Sequence, residues 1–417
     1  MAIFRAISRR SVNLPPDSLF TLINCAYRGR LQQGPALEEF PTEFSRWLKA
    51  GYVFGTSSGR TAFLLALNAL GLEEGAEIIF PAFTFPVMPM VAKMLGYQPV
   101  FCDVDPETYN AGPEHIEPKI TPKTGAVLAT HLFGQPCPIR DVTALTRAHN
   151  IRLIEDCAHA CGVRVNGQQV GTFGDIGIFS FAEGKNMPCF GGGAIATSDQ
   201  AIAQRADRIL AEASLPSKAT ILKQAVDIWL KWLLTRPLVF GLTVYPMLRI
   251  KQILGQPLMD SVVGDDLLQS FKNSNPKVGR LNNLQAAIGL KQIKRIDAFN
   301  QGARKNAAIL TQGLTDVAGV KVPSVTDGNH IYVYYPLKVA AERRDHLRHY
   351  LLCHGIDSKT TDMADCRTLK TFGQVLQEAV PQDGPAADST LEICVYPVFT
   401  QSEMHKIIHV IGKWADL

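Results

Sequence analysis

A lysine becomes a nucleophile when its surroundings remove part of its water, which lowers the pKa of the ammonium, and leave room for an electrophile to approach. Lys185 stands in such a stretch. It follows the apolar run 176–181 and precedes Gly191, Gly192 and Gly193, whose backbone can lie close against a bound molecule. A lone loop lysine is more often simply solvated, so its company matters. Asp156 ends a second apolar run, 152–156, where a buried carboxylate needs a partner such as a protonated pyridinium nitrogen; capping the next helix is the competing role. His159 shares a pocket with Asp156 if the chain turns helical there, and otherwise packs in the core. Cys157, His159 and Cys161 form a Cys-x-His-x-Cys run, but no second ligand pair stands at zinc-like spacing and no metal is expected. Thr56, Ser57, Ser58 and Gly59 precede Arg60, Thr61 and an apolar helical pattern. Free N–H groups and the dipole at such a helix start suit a phosphate, with hydroxyls as further donors, although Ser-Ser-Gly is also an ordinary cap. Phe85, beyond an apolar run at 77–80, can stack on a flat ring or fill the core.

These residues sit at the ends of a repeating pattern. Short apolar runs at 77–80, 99–104, 126–133, 152–156, 176–181 and 193–197 alternate with helix-like stretches at 60–70, 87–95 and 139–149. The alternation predicts an α/β fold with a mostly parallel central sheet flanked by helices, whose ligands gather beyond the carboxyl ends of the strands. A large domain is expected over 1–275, with an N-terminal arm at about 1–33 and an apolar insertion at about 213–275. A smaller C-terminal α+β domain, 276–417, begins with a long linking helix at 281–310 and continues with strands at 331–337 and 391–395 and a helix around 342–352. Within the insertion, Pro237 and Pro246 break any continuous helix. Its Trp229, Trp232, Leu233, Leu234, Val239 and Phe240, bordered by Lys231, Arg236, Arg249 and Lys251, can lie in a membrane interface over 228–250; packing on the domain or across a dimer is the favoured role.

Composition sets the outer bounds. Of 417 residues, 46% are hydrophobic and 19% charged, which excludes a disordered chain. A net charge of +4 is too even for a dedicated nucleic-acid binder. Nine scattered cysteines, an odd number, read as reduced thiols in a cytoplasmic protein rather than a disulfide framework. The start carries Arg5, Arg9 and Arg10 without a following apolar core, so no secretory signal is expected, and no apolar stretch is long enough to span a bilayer.

Taken in order, the phosphate loop, stacking aromatic, strand-end aspartate and lysine resemble the DegT–StrS group of nucleotide-sugar aminotransferases, from Gly34 to about Thr400. The resemblance implies the PLP-dependent transferase fold of type I and pyridoxal 5′-phosphate (PLP) as cofactor. It makes Lys185 the residue that bonds to the cofactor aldehyde and moves protons, Asp156 the partner of the pyridine nitrogen, and His159 a neighbour of the ring. Ser58, Gly59 and Ser180 fall on phosphate-contacting positions, with Arg60 beside them, and Phe85 on the stacking aromatic. Arg280, in the run 279–289, would meet the phosphate in a neighbouring subunit, implying a homodimer with shared active sites. The implied reaction moves an amino group from an amino acid, glutamate by resemblance, to a keto acceptor, a nucleotide-linked ketosugar of surface-polysaccharide or natural-product biosynthesis. Members that are sugar dehydratases carry histidine in place of the lysine, so Lys185 speaks against that activity. A non-catalytic regulatory member and an enzyme of amphiphilic or lipid-linked substrates are the remaining alternatives; the last would sit peripherally at the inner membrane face. The chain departs from the family at Arg60, at Val278 where an asparagine is usual, and at Gly191 in place of the usual glutamate after the lysine.

Overall fold

The six expected apolar runs are strands of one sheet, joined by a seventh. The structure, a computed structural model, describes residues 5–258, 265–274, 277–324, 329–373 and 386–417. The strands are β1 (Tyr52–Thr56), β2 (Glu77–Pro81), β3 (Gln98–Cys102), β4 (Thr124–Thr130), β5 (Arg152–Asp156), β6 (Ile176–Ser180) and β7 (Gly193–Thr197), in the order β1-β7-β6-β5-β4-β2-β3. The pairings from β6 through β5, β4 and β2 to β3 are parallel, while β7 runs antiparallel to both its neighbours. Neighbouring residues point to opposite faces, and both faces are covered. Ile78, Phe80, Leu128 and Ile154 pack with Phe63 and Leu67 of helix α1 (Gly59–Leu70), whereas Ile79, Val127 and Leu153 pack with Ile139 and Val142. Burial on both sides is why these strands read as continuous apolar runs rather than alternations. The pattern did not reveal β1, whose five residues run through Gly55 directly into the polar loop.

Downstream the structure departs from expectation in two places. The single helix expected at 281–310 is two, α5 (Asn283–Ile293) and α6 (Ile296–Leu314), separated at Lys294 and Arg295. Helix α5 packs on the helix Ala36–Leu48 and α6 on Gln401–Ala415. Two different packing partners override a continuous helical propensity. The strand expected at 331–337 starts later: β9 (Tyr335–Val339) joins β8 (Val320–Lys321), β10 (Lys359–Thr360) and β11 (Thr390–Ile393) in an antiparallel sheet ordered β8-β9-β11-β10. Residues 331 and 333 instead donate to the carbonyls of Gly134 and Phe133, and Tyr332 adopts φ 52°. That detour carries Tyr334 toward the large sheet.

The insertion folds as α2 (Lys218–Leu234), α3 (Pro237–Leu242) and α4 (Val244–Ile253), with a further helix at Asp265–Asn273. The chain breaks just before Pro237 and Pro246 as expected: one prolines starts α3 and the other lies in the first turn of α4, where a missing N–H costs nothing. Residues 259–264 and the expected domain boundary at 275 and 276 lie outside the described residues. Phe240 and Leu248 are buried with Ala6 and Leu352, so the insertion rests on the N-terminal arm and on the helix Ala341–Cys353. The residues expected at a membrane interface are thus partly mistaken: Phe240 is buried, and Trp229 and Trp232 pack half-buried on the core. The exposed face is different. Leu222, Val226, Leu230 and Leu234, four residues apart, form one stripe of α2, and Leu238, Leu242, Met247, Ile250, Ile253 and Leu254 extend the exposed apolar surface over α3 and α4. Among the described residues no helix is long and apolar enough to cross a membrane.

The arm is tied down far from its start. Ile7 bridges Ile356, Arg9 meets Asp357 at 2.7 Å, and Arg5 meets Glu403 at 3.0 Å. All nine cysteines are free thiols, and only Cys353 is exposed.

Candidate active site

The carboxyl ends of the central strands converge in register. Thr130 on β4 lies beside Asp156 on β5, and Gly193 on β7 pairs with Ser180 on one side and Thr56 on the other. Around these ends is a cavity of about 430 Å³ lined by Ser58, Gly59, Arg60, Phe85, Asp156, His159, Ser180 and Lys185. Every residue expected at the cofactor is there except Arg280. Phe85 is half-buried against the cavity instead of lost in the core. The Cys-x-His-x-Cys run comes apart: His159 faces the cavity, whereas the Cys161 thiol lies 3.7 Å from Met187.

Lys185 is presented by a tightly hydrogen-bonded turn. Its own N–H donates to Ala182, Phe181 N–H donates to Gly192, and Cys189 N–H donates to Phe181. The adjacent Asn186 amide is anchored on the Cys161 carbonyl at 2.7 Å and on Asn300 at 2.9 Å. Burial lowers the Lys185 pKa to about 8; Asp156 and Asp362 hold it up, and Lys359 and Arg10 push it down. Burial conversely raises Asp156, against the Ala158 N–H bonded to it at 2.9 Å and the charge of Lys185. Ammonium and carboxylate therefore feel each other across one cavity. His159 is pushed well below the usual histidine value by burial, then by Lys185 and Lys359. Its Nδ1 accepts the Phe133 N–H at 3.3 Å and its ring stacks on Phe133, so it presents a neutral imidazole with the proton on Nε2.

At the other end of the cavity α1 begins. The Ser58 hydroxyl accepts the Thr61 N–H at 3.2 Å, and the Thr61 hydroxyl accepts the Ser58 N–H at 2.9 Å. This capping box leaves the first-turn N–H groups of Gly59 and Arg60 without a helical acceptor, at a positive helix end. The glycines serve this loop more than the ligand. A Cβ on Gly193 would lie 2.6 Å from the Ser58 carbonyl, and one on Gly59 2.7 Å from the Ser180 Cβ; of the three consecutive glycines only Gly191 lines the cavity. Arg60 is exposed, its guanidinium 5.6 Å from the Phe271 ring centre. Arg280 is exposed as well and does not line this cavity, although its backbone bridges Thr56.

Whether PLP suits these residues can be tested on what they leave unsatisfied. The buried hydroxyls of Thr84 and Thr130 line the cavity and have no hydrogen-bond partner among the described residues. A phosphate end at residues 58–60, a carboxylate at Asp156, a depressed lysine and two spare hydroxyls match an anionic pyridine aldehyde, so the group fits. Thr84 and Thr130 carried no sequence signal, being single threonines in apolar runs. Nor did Glu183, two residues before Lys185, or Arg10, Tyr334 and Asp362, which close the cavity from distant parts of the chain. Tyr334 donates to the Gly184 carbonyl at 3.1 Å, and Asp362 meets Lys359 at 2.6 Å and Arg10 at 3.6 Å. Pairing of Phe83–Thr84 with Ala364–Asp365 brings Asp362 in.

A cluster of His131, Glu155 and Cys157 has ligand atoms close enough for a metal. Its lone pairs are already used: Glu155 accepts the N–H groups of Gly171, Phe173 and Gly174 at 2.7–2.8 Å, and His131 Nδ1 accepts that of Cys137 at 3.2 Å. The cluster ties the loop after β5 and is not a metal site.

The DegT/DnrJ/EryC1/StrS aminotransferase family matches residues 17–224 and 269–412, leaving most of the insertion outside the match. The chain is 27% identical over 391 residues to dTDP-3-amino-3,4,6-trideoxy-alpha-D-glucose transaminase of Streptomyces venezuelae, covering 93% of this chain and 89% of the relative. It is 29% identical over 382 residues to UDP-N-acetyl-3-dehydro-alpha-D-glucosamine 3-aminotransferase of Acidithiobacillus ferrooxidans, covering 91% and 88%. The crystal structure of the aminotransferase from Psychrobacter cryohalolentis shares the fold, with a TM-score of 0.76 over 97% and 98% of the two chains at 24% identity. With lysine, aspartate and helix start in one cavity, this chain belongs to the DegT/DnrJ/EryC1/StrS family and is a PLP-dependent aminotransferase.

Proposed function

We propose that the enzyme transfers an amino group from an amino acid, glutamate in our reading, to a nucleotide-linked ketosugar in surface-polysaccharide or natural-product biosynthesis. The observation that carries this is the meeting of Lys185 and Asp156 in one cavity, joined to the nucleotide-sugar chemistry named for the relatives. When bound, PLP supplies an electron sink for charge developing at the donor's α-carbon. Asp156 holds a proton on the ring nitrogen. The Lys185 amine, with a pKa near 8, accepts a proton at Nζ and releases it again without a large energetic cost in either direction. His159, neutral, packs beside the ring, and the first turn of α1 with Ser58 and Ser180 holds the phosphate.

The finer assignments belong to the same proposal. The chain divides near residue 275 into a large cofactor-binding domain and a smaller C-terminal one. The active form is a homodimer in which Arg280, exposed and outside its own chain's cavity, reaches the partner's phosphate. The protein is cytoplasmic, and the exposed leucines of the insertion rest on the inner membrane face; six Lys or Arg against one Asp over residues 218–258 favour an anionic surface.

A spectral titration tests the reaction. The PLP-loaded protein should lose its visible absorbance with glutamate and regain it with a nucleotide-linked ketosugar. Absence of any response to a panel of amino acids, or recovery only with keto acids lacking a nucleotide, would reject the assignment.

A further inference from the structure

Two guanidinium groups line the Lys185 cavity. Arg60 stands at the start of α1, whereas Arg10 comes from the N-terminal arm, ahead of the residues that the family match covers. The chain around Arg10 is held firmly. Ile7 N–H donates to the Gly355 carbonyl at 2.9 Å, Arg9 forks onto Asp357 through Nε at 2.7 Å and Nη2 at 2.8 Å, and the Arg10 carbonyl accepts the Ser8 hydroxyl at 2.8 Å. The Arg10 guanidinium itself is not held. Among the described residues it donates no hydrogen bond; Asp362 and Glu183 stand 3.6 and 3.8 Å away, past good hydrogen-bond reach. Both acids have closer partners. Glu183 accepts from Lys231 of α2 at 3.0 and 3.2 Å, and Asp362 lies 2.6 Å from Lys359 of β10.

Arg10 lies beside the reacting lysine. A Cβ built on Gly184 would be 3.4 Å from Arg10 Cζ and 2.8 Å from the hydroxyl of Tyr334, which donates to the Gly184 carbonyl. Gly184 has no positive φ, so what its missing side chain supplies is room for these two groups. Lys185 is the next residue. The other nearby ammonium groups are committed, Lys359 to Asp362 and Glu392 and Lys185 to the cofactor.

Transamination presents this one cavity with two substrates of different charge. An amino acid brings an α-carboxylate, which needs a partner once it leaves water. A planar guanidinium with free N–H groups meets a carboxylate through two parallel hydrogen bonds. A ketosugar brings no carboxylate to the reacting carbon, and a cation left unpaired in the cavity would then be costly. Glu183 and Asp362 are too far to occupy the fork and near enough to balance its charge.

We propose that Arg10 binds the α-carboxylate of the amino donor and falls back on Glu183 and Asp362 when the acceptor takes the donor's place. The α-carboxylate is chosen because Arg10 lies against Gly184, next to the lysine that takes the α-proton. This rests on the donor being an amino acid, as argued above.

The donor half-reaction, read as loss of visible absorbance from the PLP-loaded enzyme, tests it without any ketosugar. Three donors are compared: glutamate, isoglutamine, whose α-carboxylate is an amide, and glutamine, whose side-chain carboxylate is an amide. The native enzyme should favour glutamate over isoglutamine. Arg10→Gln should lower kcat/KM for glutamate at least about tenfold, mostly through KM, and change isoglutamine far less, while the ratio of glutamate to glutamine stays as it was. Arg10→Lys, which keeps the charge and loses the fork, should fall between the two and serves alone if the glutamine variant does not fold. Circular dichroism and the visible absorbance before donor is added report the fold and the bound cofactor. If another amino acid is the donor, it is paired with its own α-amide. An equal loss with glutamate and isoglutamine would mean a merely structural role, and loss of the preference for glutamate over glutamine would put Arg10 on the side-chain carboxylate; either overturns the proposal. A native enzyme that responds to no amino acid would reject the donor itself, whereas a native response that both Arg10 variants leave unchanged would reject Arg10 alone.

Discussion

An amine held at a pKa near 8 is half free at a pH where an ordinary lysine is almost wholly protonated. The unfolded chain binds that proton more tightly than the folded one. Lys185 therefore costs the fold stability below about pH 8, and the cost fades as pH rises from there toward 10.5. The same titration controls reactivity. The rate at which the cofactor-free protein captures PLP, followed by absorbance, should rise with pH with a midpoint near 8. Asp156→Asn should move that midpoint lower, because the carboxylate supports the ammonium; a midpoint near 10 in the native protein would contradict the burial described. Lys185→Ala should fold normally by circular dichroism yet lose both the visible absorbance of the covalent cofactor and turnover. A variant retaining both would remove Lys185 from the chemistry. Lys185, Asp156 and His159 were legible because each stands in a local motif at a strand end. Thr84, Thr130 and Asp362 were not, since only strand register and a remote bridge bring them to the cavity.

At the scale of elements, β7 explains the glycines better than any ligand does. It runs antiparallel between β6 and β1, so Gly193 meets the backbone of Ser58 and Gly59 just where α1 begins. Gly193→Ala should push the phosphate loop away from Ser180, costing about 1–3 kcal/mol of stability by overpacking. In urea unfolding and PLP titration the variant should lose stability and bind the cofactor about tenfold more weakly, by that same energy. Unchanged PLP affinity would mean that the loop does not hold the phosphate. The buried parallel strands were readable from the chain alone because apolar runs have few other uses. The break at Lys294 and Arg295 was not, because nothing in the local composition opposes a helix there; two packing partners impose it.

For the whole molecule, the proposed sharing of active sites between two chains can be tested by mixing. Lys185→Ala and Arg280→Ala should each be inactive alone if Arg280 serves the partner's site. Co-assembled at random, they should recover about a quarter of the native activity, because half of the dimers are mixed and each mixed dimer rebuilds one site. No recovery would place Arg280 and Lys185 in the same chain's site. The exposed stripe of α2 makes a second test. The native enzyme should float with anionic vesicles and not with zwitterionic ones, and Leu230→Asp with Leu234→Asp should reduce the bound fraction at least about tenfold. Failure of the native protein to float would leave that face to a protein partner. The insertion was conspicuous in sequence, but which of its residues face outward was not: Trp229 and Trp232 look interfacial and are instead half-buried on the core, and Phe240 is buried.

The anchored arm also bears on how such a chain is made. A polypeptide leaves the ribosome amino end first, yet Arg5, Ile7 and Arg9 find their partners at Glu403, Ile356 and Asp357. Residues 5–9 must therefore wait, undocked, until the chain through Glu403 has been made, and the pocket wall that Arg10 supplies is set in place late.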